Sequence, residues 1–201
     1  MPADTVIVFG RVPELGRVKT RLAAQVGDER ALDLYRRMLE HSLTVAQASG
    51  RSVELCIEGV DRDGECARLA SRYGAMLTAQ SGGDLGERMH GALVRALRHG
   101  AAAVLIGSDC PALAVEDLHQ AFAALAGHDA VFSPAEDGGY LLVGLARPRP
   151  EIFRGPAWGS AQVMEQTRKR LGAAGARWVE LRTLWDVDRA EDLDRWSRAI
   201  G

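Results

Sequence analysis

The chain has 201 residues, 47% hydrophobic and 26% charged, enough to bury a sizeable core in one expected domain spanning 1–201. A formal net charge of −2, from 25 basic and 27 acidic residues, argues against a nucleic-acid partner held by bulk charge. Cys56, Cys66 and Cys110 are too few and scattered for a disulfide framework or a Cys-based zinc site. No apolar run approaches the ~20 residues of a membrane span, and Met1–Asp4 lack the features of a signal peptide, so the expected location is cytoplasmic.

In chain order, Thr5–Phe9 is a continuous β-branched run closed by Gly10 and reads as a buried strand. The loop Gly10–Arg21 sets four cations (Arg11, Arg17, Lys19, Arg21) against the single acid Glu14. Its glycines let backbone N–H groups approach a ligand, so Arg11, Gly16, Arg17, Lys19, Thr20 and Arg21 are expected to bind nucleotide phosphates. A P-loop is excluded, because Arg17 and Val18 separate Gly16 from Lys19. Lys19 shares the chain with one other lysine, Lys169, and 23 arginines, which suggests that a compact point charge is needed there.

Asp28 reads as the N-cap of a helix with Leu32, Tyr35, Met38, Leu39, Leu43 and Ala46 on its apolar stripe, ending at Gly50. A strand over Val53–Ile57, a helix near Gly64–Tyr73 and a weaker strand over Ala75–Ala79 follow. Asp84 has two open readings: a cap with Glu87 three residues on, or, with Gly86, the border of a nucleotide base or ribose. A helix over Gly86–His99 leads to the strand Ala103–Gly107, and Asp109 just beyond it is placed to hold a divalent cation. Cys110 lacks a neighbouring base and reads as a buried thiol. After a helix over Val115–Ala126, the runs Ala130–Ser133 and Tyr140–Leu145 are too close for a crossover and predict an antiparallel pair. Asp137 between them is either hairpin chemistry or a second metal ligand, with Gly138 and Gly139 admitting substrate. Trp158-Gly159-Ser160 is open between an acceptor-lining loop and packing, ahead of a helix over Ala161–Ala174, a strand over Trp178–Leu181 and a helix from Ala190. Asp188 and Glu191 have cap-and-N3 spacing and read as the start of that last helix. The alternation predicts an α/β fold: three layers, a mostly parallel mixed sheet with helices on both faces, and ligands beyond the carboxyl ends of the strands.

Six ordered segments (9–22, 83–89, 106–111, 133–140, 158–160 and 186–193) together resemble a bacterial family of small transferases with the glycosyltransferase-A-like, nucleotide-diphospho-sugar transferase fold. Some members are named selenodomain- or radical-SAM-associated transferases; more distant are guanylyltransferases for molybdenum cofactor and for phospholactate. Arg11, Leu15 and Arg189 depart from the lysine, proline and threonine usual at those positions. The resemblance implies that Asp109 is a metal ligand and that the Gly16–Arg21 loop touches nucleotide phosphates.

Residues and resemblance together lead to the expectation of a Mg²⁺- (or Mn²⁺-) dependent transferase acting on a nucleotide or nucleotide-sugar donor and a small-molecule acceptor. Lys19, Asp109 and Asp137 are the expected catalytic groups, with Asp109 and Asp137 holding the metal. Gly138, Gly139, Tyr140, Trp158 and Gly159 are expected to bind the acceptor. Glycosyl transfer comes first; nucleotidyl transfer from a nucleoside triphosphate, to which the basic loop is suited, and non-catalytic nucleotide binding are the alternatives.

Overall fold

The computed structural model describes residues 4–199; Met1–Ala3, on which the signal-peptide expectation partly rests, lie outside the described residues, as do 200 and 201. Seven strands form one sheet: β1 (Thr5–Arg11), β2 (Ser52–Glu58), β3 (Met76–Ala79), β4 (Ala103–Gly107), β5 (Ala130–Pro134), β6 (Tyr140–Leu145) and β7 (Trp178–Glu180), in the order β3-β2-β1-β4-β6-β5-β7. The described helices are α1 (Thr20–Val26), α2 (Asp28–Ala48), α3 (Glu65–Arg72), α4 (Leu85–Leu97), α5 (Val115–Leu125), α6 (Pro150–Phe153), α7 (Val163–Ala173) and α8 (Ala190–Ala199).

The inner strands are continuously apolar because both faces of the sheet are covered. On one face Val6, Val8, Leu55, Val104 and Ile106 pack with Leu39 and Leu43 of α2 and Leu118 of α5. On the other Ile7, Leu105, Phe132 and Val143 pack with Met89 and Leu93 of α4, Phe153 of α6 and Met164 and Leu171 of α7. Helices on both sides of a mostly parallel, mixed sheet make the three expected layers. None of the described helices is long and apolar enough to cross a membrane.

The predicted antiparallel pair is present, but β6 also runs antiparallel to β4, so the reversed strand lies inside the sheet between β4 and β5. Two short helices escape the sequence pattern. In α1 only Leu22 and Ala23 are buried, too few to show a stripe. Four-residue α6 starts on Pro150, where a ring-fixed φ suits a first helical position. The Asp28 cap is corrected: Gly27, at φ 87°, both ends α1 and starts α2, which makes Asp28 the first helical residue, its charge well placed toward the positive end of the helix.

Candidate active site

Strands β1 and β4 lie side by side and in parallel, so the chain leaves both at the same edge of the sheet. Tyr35 of α2 fixes the exit of β1: its Oη accepts from the Arg11 N–H (2.7 Å) and donates to the Arg11 carbonyl (2.9 Å). Burial pushes this phenol up to about 12, so it stays a neutral clamp. Val18 is buried and anchors the following loop. Lys19 adopts a left-handed backbone (φ 47°), the only positive φ outside glycine among the described residues. From there its Nζ donates to Asp109 Oδ2 at 2.6 Å, beyond the end of β4.

A second segment crosses the same edge. Leu184 N–H donates to the Pro134 carbonyl, its own carbonyl accepts from Glu136 N–H, and Val187 N–H donates to the Asp109 carbonyl (3.2 Å). Val187 is fully buried between Asp186 and Asp188. Asp188 Oδ2 accepts from Arg21 at 3.0 Å. Asp186 has no ion pair within 4 Å among the described residues; burial first, then Asp109 and Asp137, push its carboxyl up to about 6, with Lys19 opposing. Burial pulls the Lys19 amine down, but Asp109, Asp186 and Asp188 outweigh it and hold the group above its ordinary value.

The cap reading of Asp188 is therefore corrected. It is the Asp192 carboxylate that accepts from the backbone N–H groups of Arg189 (2.8 Å) and Asp188 (3.0 Å), one residue later in frame. This leaves the Asp188 carboxylate available to Arg21.

The loop is also not the open tetracation its composition suggests. Arg11 pairs with Glu58 (2.9 Å), Arg17 with Glu14 (3.5 Å), Lys19 with Asp109 and Arg21 with Asp188. The three arginine side chains are 60–75% exposed, whereas Lys19 is 8% exposed.

A cleft of about 670 Å³ opens over this edge. Arg11, Lys19, Thr20, Arg21, Asp109, Tyr140, Trp158 and Gly159 of the expected site line it. Glu58, Arg88 and Asp188 line it too, and within the lining Tyr140 meets Trp158 edge to face at 6.3 Å between ring centres. Tyr140 Oη and Trp158 Nε1 are buried without a hydrogen-bond partner among the described residues. The remaining expected residues lie outside the lining. Gly16 and Arg17 are exposed on the loop. Asp84 caps α4, accepting from Glu87 N–H at 2.8 Å, and a methyl at Gly86 would overlap the Phe153 carbonyl and the Trp158 ring. Asp137 is exposed and accepts from Gly139 N–H (2.9 Å), while a methyl at Gly138 would overlap the Ala161 backbone. Cys110 is buried, which pushes its thiol up to about 12, beyond the range of a ready nucleophile.

Sequence reasoning missed Tyr35, Glu58, Gln80, Arg88, Asp186 and Asp188. Glu58 ends β2 and Gln80 follows β3, so the rule of strand carboxyl ends applied evenly would have found both. Gln80 Nε2 donates to the Gly10 carbonyl (2.7 Å), and Arg88 pairs with Glu58 (2.7 Å). Asp186-Val187-Asp188 carries the strand signature of a buried residue between two acids. Arg88 and Tyr35 sit on long helices and give no local signal.

Three carboxylate, histidine or cysteine side chains poised around one point occur nowhere among the described residues. A hard cation such as Mg²⁺ is commonly held by one or two carboxylates plus substrate phosphates rather than by a protein cage. Asp186 feels the charge of both Asp109 and Asp137.

The family model described as "Uncharacterized protein conserved in bacteria (DUF2064)" matches residues 39–160, more than half of the chain. A crystal structure from Desulfovibrio desulfuricans G20, named for a nucleotide-diphospho-sugar transferase, is similar at 33% identity and a TM-score of 0.88, over 96% of this chain and 86% of that one. At 10% identity and TM-score 0.63, 4-diphosphocytidyl-2C-methyl-D-erythritol synthase from Anaerococcus prevotii DSM 20548 shares the fold over 98% of both chains. Glucosyl-3-phosphoglycerate synthase from Mycobacterium tuberculosis, in complex with Mn²⁺ and UDP, shares it at 14% identity and TM-score 0.55, over 98% of this chain and 76% of that one. No curated protein matches the chain. With its sheet order, its cleft and these similarities in hand, the chain belongs to the bacterial family DUF2064 and has the nucleotide-diphospho-sugar transferase fold.

Proposed function

We propose that the protein is a divalent-cation-dependent transferase that moves a sugar from a nucleotide-diphospho-sugar to a small acceptor. The observation that carries this reading is the cleft, whose lining brings Lys19, Arg21, Asp109 and Asp188 together with the Tyr140–Trp158 pair around one cavity. A diphosphate suits the charged side chains, and the C–H face of a sugar packs on aromatic rings such as these. The 33% identity to the Desulfovibrio protein, named for that donor class, supports the same reading.

Lys19 and Arg21 would turn from Asp109 and Asp188 toward the donor's phosphates and stabilise the negative charge that grows on the leaving nucleoside diphosphate. Asp109, with Asp137 and Asp186, would hold a cation, Mg²⁺ or Mn²⁺, supplying positive charge to the same phosphates; the Mycobacterium enzyme above is in complex with Mn²⁺. Tyr140 and Trp158 would orient the sugar for attack by the acceptor oxygen, whose bond to the anomeric carbon forms as the anomeric C–O bond to phosphate breaks.

Turnover tests it. Purified protein with Mg²⁺ or Mn²⁺ is incubated with a panel of nucleotide-sugars and nucleoside triphosphates and pooled small acceptors, with nucleoside diphosphate and pyrophosphate read separately. Nucleoside diphosphate release from a nucleotide-sugar is expected. Pyrophosphate release instead would establish nucleotidyl transfer, and tight nucleotide binding with neither product would establish a non-catalytic binder.

A further inference from the structure

All four cations of the first loop are matched to carboxylates, but Lys19 differs in kind from the three arginines. Their pairs are exposed, where solvent and ions exchange freely with either partner. The Lys19 amine is buried, 2.6 Å from Asp109 and within the field of Asp186 and Asp188. The backbone holds it there in a left-handed conformation that L-residues avoid, in a chain that otherwise uses arginine almost throughout. An ammonium is a compact charge of the kind that can stand where an ion would.

We propose that Lys19 is an internal counter-ion for Asp109, exchanged for a divalent cation only when a polyphosphate takes up the amine, so that cation and polyphosphate bind as a coupled pair. The inference rests on the preceding reading of the site and adds the order imposed on its ligands. A cation arriving alone meets a carboxylate already neutralised, and displacing Lys19 strands a buried ammonium without a partner. A polyphosphate arriving alone draws Lys19 away and leaves Asp109 facing Asp186 and Asp188 uncompensated. Arriving together, the amine moves to phosphate, the cation moves to the carboxylates, and every buried charge keeps a partner. The lack of a preformed three-ligand cage among the described residues fits this, since the phosphate oxygens complete the shell. Linkage makes the coupling reciprocal: whatever factor pyrophosphate adds to cation affinity, the cation adds to pyrophosphate affinity.

The experiment uses the whole protein, with Mn²⁺ followed by its electron paramagnetic resonance signal and inorganic pyrophosphate by calorimetry. Affinities are corrected for the complex the two probes form in free solution. In wild type each probe should bind at least tenfold more tightly in the presence of the other. Lys19→Gly removes the amine and suits the left-handed backbone; it should bind Mn²⁺ alone at least tenfold more tightly than wild type, with the dependence on pyrophosphate largely gone. Lys19→Gln is measured in parallel and should behave alike, which keeps the test open should the glycine variant fold poorly. Equal Mn²⁺ affinity with and without pyrophosphate in wild type would overturn the proposal, as would variants whose Mn²⁺ affinity is unchanged or lower. If neither probe binds wild type alone or together, the transferase reading of this cleft falls and the exchange falls with it. If the Lys19 variants gain Mn²⁺ affinity while wild type turns over no nucleotide-sugar, the exchange stands and the catalytic reading falls.

Discussion

Asp186 is half-buried and feels the charge of Asp109 and Asp137, and its ionisation works against the fold. Its carboxyl titrates at about 6 in the folded chain, against an ordinary value of 3.8. A raised carboxyl contributes stability that is present below about pH 4 and lost as pH rises through about 6. Asp186→Asn should therefore stabilise the cation-free protein at pH 7.5 by about 1–2 kcal/mol, after discounting a shift of about two pKa units for partial solvent screening. The gain should vanish near pH 4, and turnover should fall because the amide lacks the negative charge that the carboxylate would offer the proposed cation. Urea unfolding in EDTA at both pH values checks this; an equal gain at each would sink it. The sequence concealed Asp186 and Asp188 for a definite reason. Cap-and-N3 spacing fits Asp188 with Glu191 and also Arg189 with Asp192, and only the hydrogen bonds to Asp192 choose the frame. Lys19 was legible because it is rare in composition and follows the first strand. Its pairing with Asp109 was not, since 90 residues separate the partners and only the side-by-side β1 and β4 bring them together.

At the scale of elements, strands and long helices were readable because each buries a continuous run or a clear stripe, whereas α1 and α6 bury two residues apiece. The contact of α4 with the loop carrying Trp158 depends on Gly86. Gly86→Ala would drive a methyl into the Trp158 ring and the Phe153 carbonyl, at a cost of about 1–3 kcal/mol. It should also displace the aromatic wall and raise KM for the sugar donor, whereas a loss of stability alone would leave KM unchanged; steady-state kinetics and thermal unfolding measured together check it, and unchanged KM would count against the assigned role of Trp158. Farther from the cleft, Asp129 just ahead of β5 ties three segments together. Its carboxylate accepts from Arg177 N–H (3.0 Å), Arg149 (2.7 Å) and Arg147, and these bonds, the backbone one foremost, bring it down to about 2. A lowered carboxyl stabilises above the unfolded value near 4 and stops doing so as pH falls through about 2. Asp129→Asn should cost about 2 kcal/mol at pH 7, with the gap to wild type closing between pH 4 and pH 2. Denaturant titrations across that range would show it, and a pH-independent cost would contradict the ion-pair origin.

Across the whole molecule, the two apolar layers lie on either side of the sheet, and the carboxylates of the cleft stand at its edge, so the proposed cation is a ligand of the site rather than a staple of the fold. EDTA should abolish turnover while moving Tm by less than about 2 °C, a change smaller than 1 kcal/mol produces in a chain of this size. A larger fall in Tm on chelation would mean that the metal helps hold the core. The position of β6, which no local pattern reveals, governs something else: the order in which the chain can be completed. Both neighbours of β6 precede it, and β5 pairs only with β6 and β7, so during synthesis β5 has no partner in the sheet until residues 140–145 emerge. A nascent or truncated chain ending at residue 139 leaves the edge of β4 open and β5 unpaired, and is expected to self-associate. The strand that begins at Tyr140 is thus the joint through which β5 and, later, β7 are added to the sheet, as well as a wall of the cleft.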